Sequence, residues 1–340
     1  MGRTLQILLP GLLLALSLFS LGGCGCGFDC NSNSNSSSNE PALLTLGLSD
    51  SLPEDLKKVI VKVDSITFRR SGAENVVIDT FTVPEQGLVD APSFQVDLLK
   101  YNGVKQLKVI EALELASGTY SEVSLAIIAD GINSSYVQEA NDSLKPITVS
   151  GGKLTLPGVL LSSGNQAFTV EFSLAQALQF RSATDNYLLA ATGIRIENNL
   201  TGATLSGQVD SALFDTVSPC NEKNPPTSGN RIYLYNGTDL APERLADVFT
   251  IASVTKAPAN ALAPFAVASL IEDPDTGNWE YAFGYLPAGD YTLAFACDTA
   301  DDDAVEYNGL RIPLPENQVY KIKLSQAKKS ICNLSAGASC

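Results

Sequence analysis

The chain of 340 residues contains no histidine. Histidine is the side chain whose ordinary pKa suits proton transfer near neutral pH. Its absence excludes Ser-His-Asp and Cys-His catalytic arrangements and every zinc site that uses imidazole. Carboxylate, lysine and tyrosine chemistry survive that exclusion. Positive charge is also scarce: 22 Lys and Arg stand against 37 Asp and Glu, for a net charge of -15. So acidic a surface repels nucleic acid and anionic head groups, and DNA or RNA is excluded as a partner. No C-x2-C pair occurs, so a thiolate metal site has no basis. The apolar run Ile7–Leu21 is broken by Pro10 and Gly11. It is shorter than the roughly 18–20 residues that a bilayer-spanning helix needs.

What is present begins at that run. Arg3 precedes it, and Leu21-Gly22-Gly23-Cys24 closes it with small residues ahead of a cysteine. The pattern resembles a bacterial lipobox, which predicts a signal peptide over 1–23 and lipidation of Cys24. More than one acyl chain would make that membrane anchor stable. Removing 1–23 takes away one cation, Arg3, and no anion, leaving a charge of about -16. Residues 24–41, rich in Asn and Ser, read as a flexible tether. Six further cysteines remain: Cys26, Cys30, Cys220, Cys297, Cys332 and Cys340. An even number in an exported chain reads as disulfides, with about 15 possible connectivities. Proximity and domain grouping favour Cys26 with Cys30, Cys220 with Cys297, and Cys332 with Cys340. The sequons at Asn199 and Asn236 read as ordinary loop residues in such a context.

Hydrophobic residues make up 45% of the chain, enough to bury real cores. Period-2 alternation at Leu44, Leu46 and Leu48, and again at Val59, Val61 and Val63, predicts half-buried strands. Short strands punctuated by Gly, Pro, Asn and Ser continue through 42–198 and again through 203–326. Ser51–Glu54 has capping-box spacing and predicts a helical turn around Pro53–Lys57. Ser173–Phe180 gives the best helix signal, behind a serine cap. Val248–Val254 and Leu310–Leu314 are among the predicted strands, and 327–340 is a tail without clear periodicity. The expected fold class is therefore all-β: two consecutive β-sandwich domains behind a signal peptide and tether.

One pattern occurs once in each body. Leu115-Ala-Ser-Gly-Thr-Tyr120 and Leu286-Pro-Ala-Gly-Asp-Tyr291 each lead into a strand. A tyrosine opening the strand, with its hydroxyl reaching back to loop backbone, resembles the tyrosine corner of Greek-key sandwiches. Tyr120 and Tyr291 are thus expected to be structural.

Three segments of the first body, Leu46–Ile66, Leu115–Leu125 and Phe168–Ala177, resemble the bacterial lipoprotein domain family numbered 4382 among domains of unknown function. The resemblance implies an exported β-rich lipoprotein domain and carries over no catalytic residue. Leu205–Val209 and Tyr281–Leu293 are similar to carboxypeptidase-regulatory-like and transthyretin-like (prealbumin-like) modules, which implies a spacer or binding platform. Cys220 and Cys297 depart from that pattern. Gly25 rather than Asp follows Cys24, which in lipoproteins resembling this one favours the outer membrane.

Three stretches invite chemistry. Asp298-Thr-Ala-Asp-Asp-Asp303 is the densest acidic run, and Asp298, Asp301 and Asp303 are its Ca2+ candidates, although the EF-hand spacing and glycine are missing. Asp275-Thr276-Gly277 copies half of an aspartic-protease pair, and Ser325–Lys328 has S-x-x-K spacing without its companion motifs. Both read as structural. Trp279, Tyr281 and Tyr285 could face a sugar, yet alternation at 281, 283 and 285 puts one face in the core. The function expected is a non-enzymatic, membrane-anchored envelope lipoprotein with a structural or ligand-binding surface for an envelope protein or glycan. A Ca2+- or glycan-dependent adhesin-like module and a carboxylate hydrolase are the alternatives. No cofactor is expected beyond that Ca2+.

Overall fold

The computed structural model describes residues 40–51, 56–250, 257–337 and 340. The predicted signal peptide, Cys24, Cys26 and Cys30 lie outside the described residues, as do Pro53–Asp55 of the predicted helical turn. The chain is nearly all β. Residues 39–340 form one compact unit.

The first body is a sandwich of a four-stranded and a nine-stranded sheet. The small sheet runs Ile194–Asn198, Gly164–Ser173, Ala42–Ser51, Leu107–Leu115, with its two central strands parallel. In the large sheet the long strand Leu56–Arg69 pairs along its second half with Gly118–Ile127 and along its first half with Tyr136–Glu139, both on the side opposite Phe94–Asp97. Its outer edge is built by Leu144–Thr148, Asn186–Leu189 and finally Leu178–Arg181. Val59, Val61 and Val63 face the core, and then Ile66 and Phe68 do so. That change of phase coincides with a register shift between Val63 and Ser65. An extra residue at a bulge turns the following side chains to the other face.

The second body is two four-stranded sheets. One runs Ile271–Glu272, Trp279–Leu286, Ala203–Val209, Lys329–Ile331. The other runs Ala266–Ser269, Arg231–Asn236, Gly289–Ala296, Val319–Leu324. Lys329–Ile331 comes from the stretch read as a tail; it pairs in parallel with Ala203–Val209. Gly207 makes this possible, because a Cβ there would strike the Cys332 carbonyl.

Both tyrosine corners form as expected. Tyr120 Oη donates to Ala116 O at 3.0 Å and Tyr291 Oη to Pro287 O at 2.9 Å, each spanning four residues. Both rings are buried. Disulfides join Cys220 to Cys297 and Cys332 to Cys340.

Several local expectations are corrected. The helix of 173–180 is one turn, Leu174–Ala177, followed directly by the strand Leu178–Arg181, and Ser173 makes no side-chain cap. Its backbone is claimed by a neighbour instead, with Ala190 N–H donating to Ala177 O at 2.8 Å. Leu310–Leu314 makes only an isolated bridge at Leu314, next to Pro313 and Pro315, which cannot donate to a ladder. Val248–Thr250 is not a strand, and 251–254 lies outside the described residues.

Candidate functional site

The acidic run 298–303 is organised by the member that spacing did not single out. Asp302 follows the strand Gly289–Ala296, and its side chain is wholly buried. Tyr233 Oη donates to its Oδ2 at 2.5 Å and Val248 N–H to its Oδ1 at 3.0 Å. Arg231 Nη1 lies 3.2 Å from Oδ2 and donates to the Asp302 carbonyl at 3.0 Å. Burial pushes the Asp302 carboxyl up to about 6, against the opposing pull of Arg231 and of its donors. At neutral pH it is the anion that Arg231 requires.

Asp298, Asp301 and Asp303 are exposed. Asp303 Oδ1 accepts the Val305 and Glu306 N–H groups, which closes its own turn. Among the described residues no group of three or more His, Cys, Asp or Glu is placed to hold a metal ion. Asp275 stands in a tight turn, where Asp273 Oδ1 accepts from the backbone of Asp275 and Thr276 and Gly277 takes a positive φ of 71°. Tyr281 and Tyr285 are buried. Their hydroxyls bond Cys332 O at 2.7 Å and Val104 O at 2.8 Å, so neither presents a sugar platform.

The pinned loop forms one wall of a cleft between the bodies, about 860 Å³ in volume. The opposite wall is the last strand of the large sheet, Leu178–Arg181, with Tyr187 beside it. Phe180 is 47% exposed there and lies 5.2 Å from Tyr187, centroid to centroid. Tyr187 Oη donates to Glu139 Oε1 at 3.1 Å. Leu56, Leu174 and Leu178 supply apolar floor. Its volume falls within the usual range of ligand sites.

The bodies meet beyond the cleft along a polar seam. Residues 41–191 match the family model of a domain of unknown function, DUF4382. No curated protein matches the chain. Among solved structures it is similar to the Bacillus anthracis TIE protein, at 10% identity and a TM-score of 0.19, over 87% of this chain and 34% of that one. It is also similar to the minor pilin of Streptococcus agalactiae, at 12% identity and a TM-score of 0.18, over 85% and 94% of the two chains. A fimbrial protein from Bacteroides ovatus matches at 9% identity and a TM-score of 0.18, over 89% and 50%. The chain thus spans about a third of the TIE protein's length.

The DUF4382 segment supplies one wall of the cleft and the buried Glu171 of the seam. Glu171 is directly opposite Arg195, which follows the segment, in the pairing of Gly164–Ser173 with Ile194–Asn198. Burial pushes the Glu171 carboxyl up to about 8; Arg195 and the Ser49 hydroxyl oppose that shift, and Glu197 adds to it. Glu171 Oε2 meets no hydrogen-bond donor. Arg195 is shared out, 3.5 Å from Glu197 Oε1 and with its guanidinium 5.0 Å from the Phe265 ring centre of the second body. Tyr285, at a positive φ of 49°, carries its hydroxyl across to Val104. Gln176 Nε2 reaches Pro264 O at 2.9 Å. Gly284 lies so close to the Gly103 carbonyl that a Cβ could not fit.

Sequence reasoning missed Glu171, Arg195, Arg231 and Asp302. For Glu171, Arg195 and Arg231 the signal available was a polar residue within a strand, which also describes an ordinary solvent face; Asp302 lay inside the acidic run, where nothing set it apart.

Proposed function

We propose that the protein is an exported lipoprotein, anchored to the outer membrane through Cys24, whose two β-sandwiches form a non-enzymatic binding surface in the cell envelope. The signal peptide would be 1–23 and the tether 24–41, ahead of bodies at 42–198 and 203–326. The lipobox-like Leu21-Gly22-Gly23-Cys24 supports the anchor. The observation that carries the binding reading is the open cleft of about 860 Å³ between two joined bodies. Its buried carboxylate, Asp302, is committed to Arg231 and Tyr233 rather than poised for proton transfer. The resemblance of the second body to carboxypeptidase-regulatory-like modules agrees with a platform role, since its first motif segment pairs with the start of the second in one sheet and the second then crosses to the other sheet of the sandwich.

The test is metabolic labelling with palmitate in a bacterial host, followed by density separation of the membranes. Label in outer-membrane fractions that is lost with Cys24→Ser, together with release of the protein from the membrane, is the expected result. An unlabelled soluble protein would refute the anchor. Hydrolase turnover abolished by a single carboxylate substitution in the cleft would refute the non-enzymatic reading.

A further inference from the structure

The strand Leu178–Arg181 ends the nine-stranded sheet, pairing with Asn186–Leu189 on one side and, among the described residues, with no strand on the other. Its register decides which backbone groups are used. Ala190 N–H donates to Ala177 O, and in an antiparallel ladder hydrogen-bonding positions recur at every second residue. Gln179 and Arg181 therefore bond inward to the sheet. Leu178 and Phe180 direct their main-chain groups outward, and the Leu178 N–H is already taken by Leu174 O. The Leu178 carbonyl and the Phe180 N–H and carbonyl are left at the edge, facing the cleft.

An edge of this kind is a template for another strand unless it is blocked. Nature's usual blocks, a proline or an inward charge within the strand, are missing from Leu-Gln-Phe-Arg until Arg181 at its end. Charge selects among incoming strands. Glu139, Asp303 and Glu306 line the cleft against Arg181, while Arg231 is committed to Asp302. The exposed Phe180 ring beside Tyr187 offers a face to an apolar side chain or to the stem and charge of a lysine.

We propose that the cleft binds an extended, basic polypeptide segment of a partner protein by strand addition to Leu178–Arg181. Main-chain pairing to Leu178 and Phe180 supplies the register, and alternate side chains of the incoming strand meet the Phe180 ledge and the acidic wall. This deepens the binding-surface reading and rests on it, but it is independent of the lipid anchor.

The test uses the full-length protein in detergent and a labelled peptide of alternating valine and lysine, read by fluorescence anisotropy and hydrogen exchange. Saturable binding is expected, with exchange protection gained at 178–181. Phe180→Pro, which removes an outward N–H that the sheet does not use, should weaken binding at least about tenfold. Because that variant could disturb the strand, a second arm N-methylates one edge of the peptide. This leaves charge intact and should weaken binding to the same extent. A glutamate-for-lysine peptide should not bind. The proposal is overturned by no binding at about 1 mM peptide, by equal binding of the N-methylated or glutamate peptide, or by protection elsewhere. Dimerisation of the unliganded chain that Phe180→Pro abolishes would also overturn it, in favour of pairing between two copies. Failure of palmitate labelling with intact peptide binding would refute the anchor alone.

Discussion

Glu171→Gln isolates one buried proton. The native carboxyl is raised from 4.5 to about 8 by burial between the two bodies. An unfolded chain releases that proton near its ordinary pKa, whereas the folded chain keeps it until about pH 8. Between those values the native state binds more protons than the unfolded state, so stability falls as pH rises. Across the whole window the loss approaches about 5 kcal/mol, as an upper bound. From pH 6 to pH 8 it is about 2 kcal/mol, or about 4–8 °C in melting temperature. The chain has no histidine, and Asp302, raised to about 6, is half-titrated at pH 6, but its contribution is common to wild type and variant and cancels in their difference. Glutamine matches the protonated carboxyl in shape and carries no charge at any pH. The assay is thermal unfolding of wild type and Glu171→Gln at half-unit steps from pH 5 to pH 9. The two curves should nearly coincide at pH 5 and separate with rising pH, the variant melting higher at pH 8. Curves that run parallel across this range would refute the assignment of the proton to Glu171.

Two further perturbations test the frame. Tyr120→Phe and Tyr291→Phe each remove one buried hydroxyl bond to loop backbone and leave Ala116 O or Pro287 O without it. Each should cost about 1–3 kcal/mol in denaturant unfolding with an unchanged m-value; a cost confined to one body would refute the equivalence of the two corners. Replacing Cys220 and Cys297 together by alanine opens a loop of sequence separation 77. By loop entropy this costs about 4.5 kcal/mol, so reductant should lower the melting temperature of the wild type far more than that of the double variant.

The strands were legible where one face is buried and the other is wet. Leu44, Leu46 and Leu48 alternate in the sequence and are all buried in the structure. Both tyrosine corners were legible because the whole motif fits within six residues and needs no distant partner. Legibility failed where a long-range neighbour decides. Ser173–Phe180 has helical spacing, but pairing with Asn186–Leu189 converts its second half to a strand. In Phe168-Thr-Val-Glu-Phe-Ser173 the polar alternates look like a solvent face, yet Thr169, Glu171 and Ser173 are all buried. The second body covers them, and no local pattern announces that cover. In the acidic run the same limit holds, since only the fold reveals that Asp302 turns inward while Asp301 and Asp303 turn outward.

That hidden cover explains why a cleft exists at all. Each body has its own hydrophobic cluster, with Ala175 of the first packed against the second, and the join between them includes the polar seam of Glu171, Arg195, Tyr285 and Gln176 with the close approach of Gly103 and Gly284. A polar seam sets geometry without demanding that all nearby surface be buried. It holds the strand edge and the Asp302 loop on facing walls and leaves the space between them open. The same seam contains a carboxyl that releases its proton near pH 8.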